Sequence, residues 1–158
     1  MEHSQKEIGV LRTIETAYTT GHFEAIFPLM TDDYTHVSFW VAEVLRGKAQ
    51  ARDYYEGKGE TLRKSGSFPK AIFVRIVSAP DRVRPRGVWK DGVQVLEDPV
   101  FLHRSDAGKG AILFEQQLNG KTVCTLAIPT ITEDGKLAQI LITNPGFYRL
   151  ERIGEAAP

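Results

Sequence analysis

Apolar residues recur at helical spacing near the start of the chain. Val10, Leu11, Ile14, Ala17 and Tyr18 share one face, while Lys6, Arg12 and Glu15 fall elsewhere. The spacing predicts a helix over 5–20, closed by Gly21, which suits a left-handed cap. Phe23, Ile26, Phe27 and Met30 form the apolar side of a short second helix that Pro28 interrupts or kinks. The stretch 34–41 is dense in aromatic and β-branched residues and predicts a strand, with Asp32-Asp33 as the turn leading into it. Alternation sets Tyr34, His36, Ser38 and Trp40 on one face and Thr35, Val37, Phe39 and Val41 on the other. Both sets carry apolar groups, which predicts cover on both faces. A third helix is predicted over 48–63, with Ala49, Ala51, Tyr54, Tyr55 and Leu62 available to pack and Ser65-Gly66-Ser67 as its break.

Beyond this point the pattern turns to strands: 71–79, 83–90, 93–96, 100–103, 111–118, 122–131 and 137–143. Lys90-Asp91-Gly92, Asn119-Gly120 and Asp134-Gly135 punctuate them. Asn-Gly and Asp-Gly supply the positive φ angles of tight hairpins, and short links imply antiparallel neighbours. Helices first and strands later predict an α+β fold. Asn144-Pro145-Gly146 ends the last strand, and the tail over 151–158 is expected to be disordered.

A chain of 158 residues with 42% apolar content predicts one domain, over 1–150, with one substantial core. Lys plus Arg equals Asp plus Glu at 20 each, so no net field draws the chain to nucleic acid or anionic lipid. A neutral surface gives little protection against association, which leaves an oligomer plausible. Cys124 is the single cysteine, so an internal disulfide is excluded and a reducing, cytoplasmic setting is expected. No apolar run approaches the roughly 20 residues that span a bilayer. His3, His22, His36 and His103 lack ligand spacing, so no metal site is expected. Gly57-Lys58-Gly59 and Gly108-Lys109-Gly110 lack the further residues of a nucleotide-binding loop, and no cofactor is expected.

The run 17–26 (AYTTGHFEAI), then 30–34 (MTDDY) and 46–55 (RGKAQARDYY), resembles the nuclear transport factor 2-like superfamily, which includes ketosteroid isomerases and SnoaL-type polyketide cyclases. Leu118-Asn119-Gly120-Lys121 and the stretch 132–137 (TEDGKL) resemble its closing hairpins. The resemblance covers roughly 5–63 and 111–147; residues 80–110 do not match. It implies a cystatin-like cone: three N-terminal helices on a curved, mostly antiparallel sheet, with a pocket between. The ketosteroid isomerases use a tyrosine and an aspartic acid as oxyanion hole and a second aspartate as base. Here those positions fall on Ile14, Ala127 and Ser38, so that activity is not implied. Tyr55 does stand where the family has a cavity tyrosine. The same alignment implies a wall that includes His36, Ser38, Phe114, Gln116, Thr125, Ile142 and Asn144, with Tyr18 alongside. A homodimer through the outer sheet face is also implied, with Cys124, Leu126 and Ile128 offering apolar area.

His36 is the acid–base candidate, since an imidazole titrates near neutral pH; the alternative is a hydrogen-bonded strand histidine packed on Trp40 or Tyr34. Tyr18 and Tyr55 are candidate donors to a ligand oxygen or oxyanion, or else amphipathic rings at a cavity rim. Gln116 and Asn144 are amides on otherwise apolar strands, and each needs a partner from protein, water or ligand. Ser38, Trp40, Phe114 and Thr125 complete the expected ligand wall. Arg82, Arg84 and Arg86 alternate around Pro85 and read either as an anion site or as the wet face of an edge strand. His103 and Glu97-Asp98 read as surface groups. The resulting expectation is a pocket for a small hydrophobic molecule bearing oxygen. It would serve cofactor-free proton transfer of isomerase, dehydratase or cyclase type, with His36, Tyr18 and Tyr55 as its catalytic groups. The alternative is a non-catalytic ligand-binding or dimerising module of the same fold.

Overall fold

A computed structural model describes residues 2–38, 41–78, 88–90, 93–95 and 106–153. The first helix, α1 (Glu2–Thr20), ends as expected at Gly21, whose N–H bonds the Ala17 carbonyl at 2.8 Å with φ at 75°. The expected second helix does not form. Residues 24–26 make a turn and Phe27–Leu29 a single 3-10 turn, with Pro28 inside it and Met30 already extended. Proline has no N–H to donate and its ring blocks further winding toward the N-terminus, so two α-helices, not three, occur among the described residues.

Strand β1 (Met30–Ser38) begins earlier than expected and includes Asp32-Asp33. Both carboxylates are exposed, where its pairing skips register between Met30 and Thr35. The stretch after Ser38 returns as β2 (Val41–Arg46), antiparallel to β1 with His36 opposite Leu45. This hairpin replaces the single strand read over 34–41. Gly47, at φ 87°, then bonds the Tyr34 carbonyl and turns the chain into α2 (Lys48–Ser65). That positive φ would strain any side chain.

The remaining strands are β3 (Lys70–Ser78), the short pair β4 (Val88–Lys90) and β5 (Val93–Val95), β6 (Gly110–Leu118), β7 (Lys121–Ile131), β8 (Leu137–Thr143) and β9 (Arg149–Arg152). Of the nine strands among the described residues, seven form one mixed sheet in the order β2-β1-β8-β7-β6-β3-β9, parallel only between β1 and β8. Asn119 and Gly120, both at positive φ, make the β6–β7 hairpin as the Asn-Gly pair predicted. Glu151 and Arg152, expected in a loose tail, instead pair with β3, whose edge would otherwise be open. Residues 154–158 lie outside the described residues. So do Trp40, the strand expected over 100–103, Arg82, Arg84, Arg86, Glu97-Asp98 and His103.

Cover on both sheet faces, expected from β1, is observed. Leu11, Ile14, Ile26, Tyr34, Ile112 and Ile140 pack between helices and sheet. Val37, Ile76, Leu126, Ile128 and Leu141 form a second cluster on the opposite face, with Tyr148 packed into it. Leu126 and Ile128 are fully buried within one chain. They therefore offer no free area for the dimer contact expected of them, and only Cys124 of that trio is exposed. Glu7 fastens α1 to the sheet: its buried carboxylate accepts from Arg75 Nη1 at 2.6 Å and from Gly110 N–H at 3.0 Å. Among the described residues no helix is long and apolar enough to cross a membrane.

Candidate functional site

Helix α2 builds the site with two adjacent stripes. Ala51, Tyr55, Gly59 and Leu62 are its buried residues. Gly59 allows the close approach: a Cβ there would collide with the Gly21 carbonyl and crowd Phe23. Arg63 adds a hydrogen bond from Nη1 to that same carbonyl. Tyr55 is thereby driven into the core, between Tyr34 and His36 of β1. Its hydroxyl lies 3.0 Å from Tyr34 Oη and 2.9 Å from His36 Nδ1. The three groups form a chain through the Tyr55 hydroxyl, in which Tyr34 Oη, Tyr55 Oη and His36 Nδ1 each have a partner. Burial, and then the Lys58 charge, pushes the His36 imidazole down to about 4. Burial also raises the Tyr34 and Tyr55 phenols.

One residue around the helix runs the stripe Tyr54, Lys58 and Leu62, and beside it opens a cavity of about 220 Å³. Helix α1 supplies Tyr18 to its wall and β1 supplies Ser38. Phe114 and Gln116 come from β6, Val123 and Thr125 from β7, and Ile142 from β8. Gln116 is oriented by a bond from its Nε2 to the Ser67 carbonyl at 2.9 Å. Tyr18 packs tilted on Phe114 with ring centroids 4.7 Å apart and edge-on to Phe23 at 5.0 Å. Its hydroxyl is buried beside Tyr55 without a hydrogen bond of ordinary geometry. Lys58 holds its ammonium 5.6 Å from the centre of the Tyr18 ring, and burial pushes that amine below its ordinary value.

Of the residues expected at the site, Tyr18, Ser38, Phe114, Gln116 and Thr125 do line the cavity. His36 and Tyr55 do not. They sit behind it, 3% and 0% exposed, because β1 alternation turns His36 toward α2, where the Tyr54 ring covers it at 4.7 Å. Asn144 also stands apart: its Oδ1 accepts from Gly146 N–H at 2.8 Å and caps the turn after β8. Its partner is local backbone, which meets the amide's demand without a ligand. Tyr54 and Lys58 were missed as wall residues. The signal was present in their spacing with Leu62, which sets a cation on a partly apolar helix stripe. A larger depression of about 450 Å³ lies between α1 and β3, rimmed by Arg12, Glu15 and Arg152, and holds none of the candidates. Among the described residues no three His, Cys, Asp or Glu side chains gather as a metal ion would require.

No protein-family model matches the sequence, and no curated protein matches it. Solved structures do match the fold. One is a protein of unknown function with a cystatin-like fold from Methylobium petroleophilum PM1, at TM-score 0.54 and 12% identity over 98% of this chain and 82% of that one. Another is SalBIII, an epoxide hydrolase/cyclase-like enzyme in pyran ring formation of the polyether salinomycin. It matches at TM-score 0.51 and 16% identity over 94% and 95% of the two chains. A third, an uncharacterised protein with a cystatin-like fold from Silicibacter pomeroyi DSS-3, matches at TM-score 0.50 and 12% identity over 89% and 77%. The chain therefore has a cystatin-like fold, in agreement with the resemblance drawn from its sequence.

Proposed function

We propose that the protein binds a small, largely apolar molecule bearing an oxygen acceptor, in the cavity between α2, Tyr18 and strands β6 to β8. The observation that carries this reading is the Tyr18 hydroxyl: buried, on the cavity wall, and beside Tyr55 without a hydrogen bond of ordinary geometry. A buried donor without a partner costs about 1–3 kcal/mol, and a ligand oxygen would offset that cost. Phe114, Leu62 and Ile142 supply apolar contact, while Gln116, Thr125 and Ser38 supply a few oriented polar atoms. This mixture is typical of small-molecule sites. At about 220 Å³ the cavity is below the roughly 300 Å³ where such sites usually begin, so the ligand is small. The fold neighbour described as an epoxide hydrolase/cyclase-like enzyme is compatible with this class of ligand.

Binding is favoured over turnover by proton transfer. The wall carries no carboxylate among the described residues, and His36, held near 4 behind Tyr54, is a weak base without access to the cavity. Native mass spectrometry of protein purified from its own host, before and after denaturation, tests the reading. A released small apolar molecule, retained less by Tyr18→Phe, is the expected result. A protein that carries no such molecule, or that retains it equally well in the variant, would remove the basis for the proposal.

A further inference from the structure

Among the described residues the cavity contains one cation and no carboxylate to balance it. Lys58 makes no ion pair and no hydrogen bond with any described residue. The two carboxylates nearest it on α2 are engaged elsewhere: Glu56 with Arg52 at 3.3 Å and Glu60 with Lys64 at 2.8 Å. The groups that share the cavity from other elements, Tyr18, Ser38, Phe114, Gln116, Thr125 and Ile142, are all neutral. The Tyr18 ring gives the ammonium partial compensation through its π face. A half-buried charge without a counter-ion is costly to keep, and here it borders the same space as the Tyr18 hydroxyl, which lacks a hydrogen bond of ordinary geometry.

We propose that the ligand of this cavity is an anion, a small apolar body ending in a carboxylate, whose charge is read by Lys58 while Tyr18 donates to one carboxylate oxygen. This deepens the binding reading above and rests on it. Both groups with incomplete partners are donors, and a carboxylate accepts from both while also balancing the ammonium charge, which a neutral carbonyl does not. The neutral wall then selects by size and by apolar contact, and the charge selects acids over their neutral isosteres. Filling the site with an anion also has a remote consequence. The Lys58 charge is one of the two causes that hold the His36 imidazole down, so neutralising it raises His36 toward its ordinary value.

Matched acid and amide pairs test this: benzoate with benzamide, and phenylacetate with phenylacetamide. Each is titrated into the full chain at pH 7 and low salt, and followed by backbone amide NMR shifts around Tyr18, Phe114 and Thr125. The expected result is that the acids bind at least about tenfold tighter than their amides, the gain of a charge-assisted hydrogen bond, and that Lys58→Gln abolishes the preference. A second readout needs no variant: the Lys58 and His36 titrations in wild type should both move upward with the acid and stay in place with the amide. Amides that bind as well as acids, with shifts mapped to the cavity, would overturn the charge assignment and leave the binding reading standing. No cavity shifts with any of the four probes would overturn both.

Discussion

Tyr55 and Tyr54 are neighbours on α2, yet they face two regions with opposite hydrogen-bond accounts. On one side, Tyr34, Tyr55 and His36 are joined in a buried chain through the Tyr55 hydroxyl. On the other, less than two helical turns away, Tyr18 and Lys58 border open space with a hydroxyl and an ammonium that no described residue satisfies. The first region has the signature of scaffold: buried polar groups with partners, which specify how α2 sits on the sheet. The second is where the proposed site lies, since unmet donors that border a cavity can be completed by a ligand that enters it. Chemical type does not separate the regions, because both are built on tyrosine. Completeness of partners does.

The comparison breaks most visibly at Tyr55. Removing its hydroxyl in Tyr55→Phe strands His36 Nδ1 and takes from Tyr34 Oη its side-chain partner, and should cost about 2–4 kcal/mol in urea unfolding. A loss under about 1 kcal/mol would mean the chain is not the scaffold described.

The pH dependence of stability probes the same region. His36 has a folded value of about 4 against 6.5 when unperturbed. A depressed histidine leaves stability intact above the unfolded value and removes it as pH falls toward the folded one, since the unfolded chain takes up the proton first. Wild type should therefore lose about 3 kcal/mol between pH 6.5 and 4 beyond what His36→Gln loses over the same range, from about 1.36 kcal/mol per unit. Parallel curves for the two proteins would place the histidine in a wetter setting.

Gly59→Ala sharpens the account of how α2 reaches its depth. The added methyl meets the Gly21 carbonyl and should destabilise by about 1–3 kcal/mol, with the near-ultraviolet signal of Tyr55 altered. Smaller still is Lys58→Met in the ligand-free protein. Taking away an uncompensated, half-buried charge should leave stability unchanged or raise it by up to about 1 kcal/mol. A clear loss would show that Lys58 has a structural partner.

Much of this architecture was legible in the residues. Helical periodicity placed α1 and α2, and Asn119-Gly120 placed the β6–β7 hairpin, because these are local signals with local causes. The second helix failed because four apolar residues at the right spacing cannot outweigh Pro28 in so short a segment. The β1–β2 hairpin was hidden because Phe39-Trp40, between the strands, carries no turn signal, and β9 because its pairing depends on the distant β3, which no window of sequence contains. At the site, strand alternation correctly set Tyr34, His36 and Ser38 on one face. It could not say that Tyr54 would cover His36, or that Asn144 would spend its side chain on Gly146. Lys58 was visible as a lysine on a partly apolar stripe, but its lack of a counter-ion is a fact of three dimensions.

One paired measurement tests the division directly: equilibrium urea unfolding of Tyr18→Phe beside Tyr55→Phe. The same single oxygen is deleted in each. The account predicts a cost of about 2–4 kcal/mol at Tyr55, where bonds are lost, and a change within about 1 kcal/mol of zero, or a gain, at Tyr18, where no hydrogen bond of ordinary geometry exists to lose. Equal losses at the two positions would contradict it, because the Tyr18 hydroxyl would then have a partner within the protein and no call on a ligand.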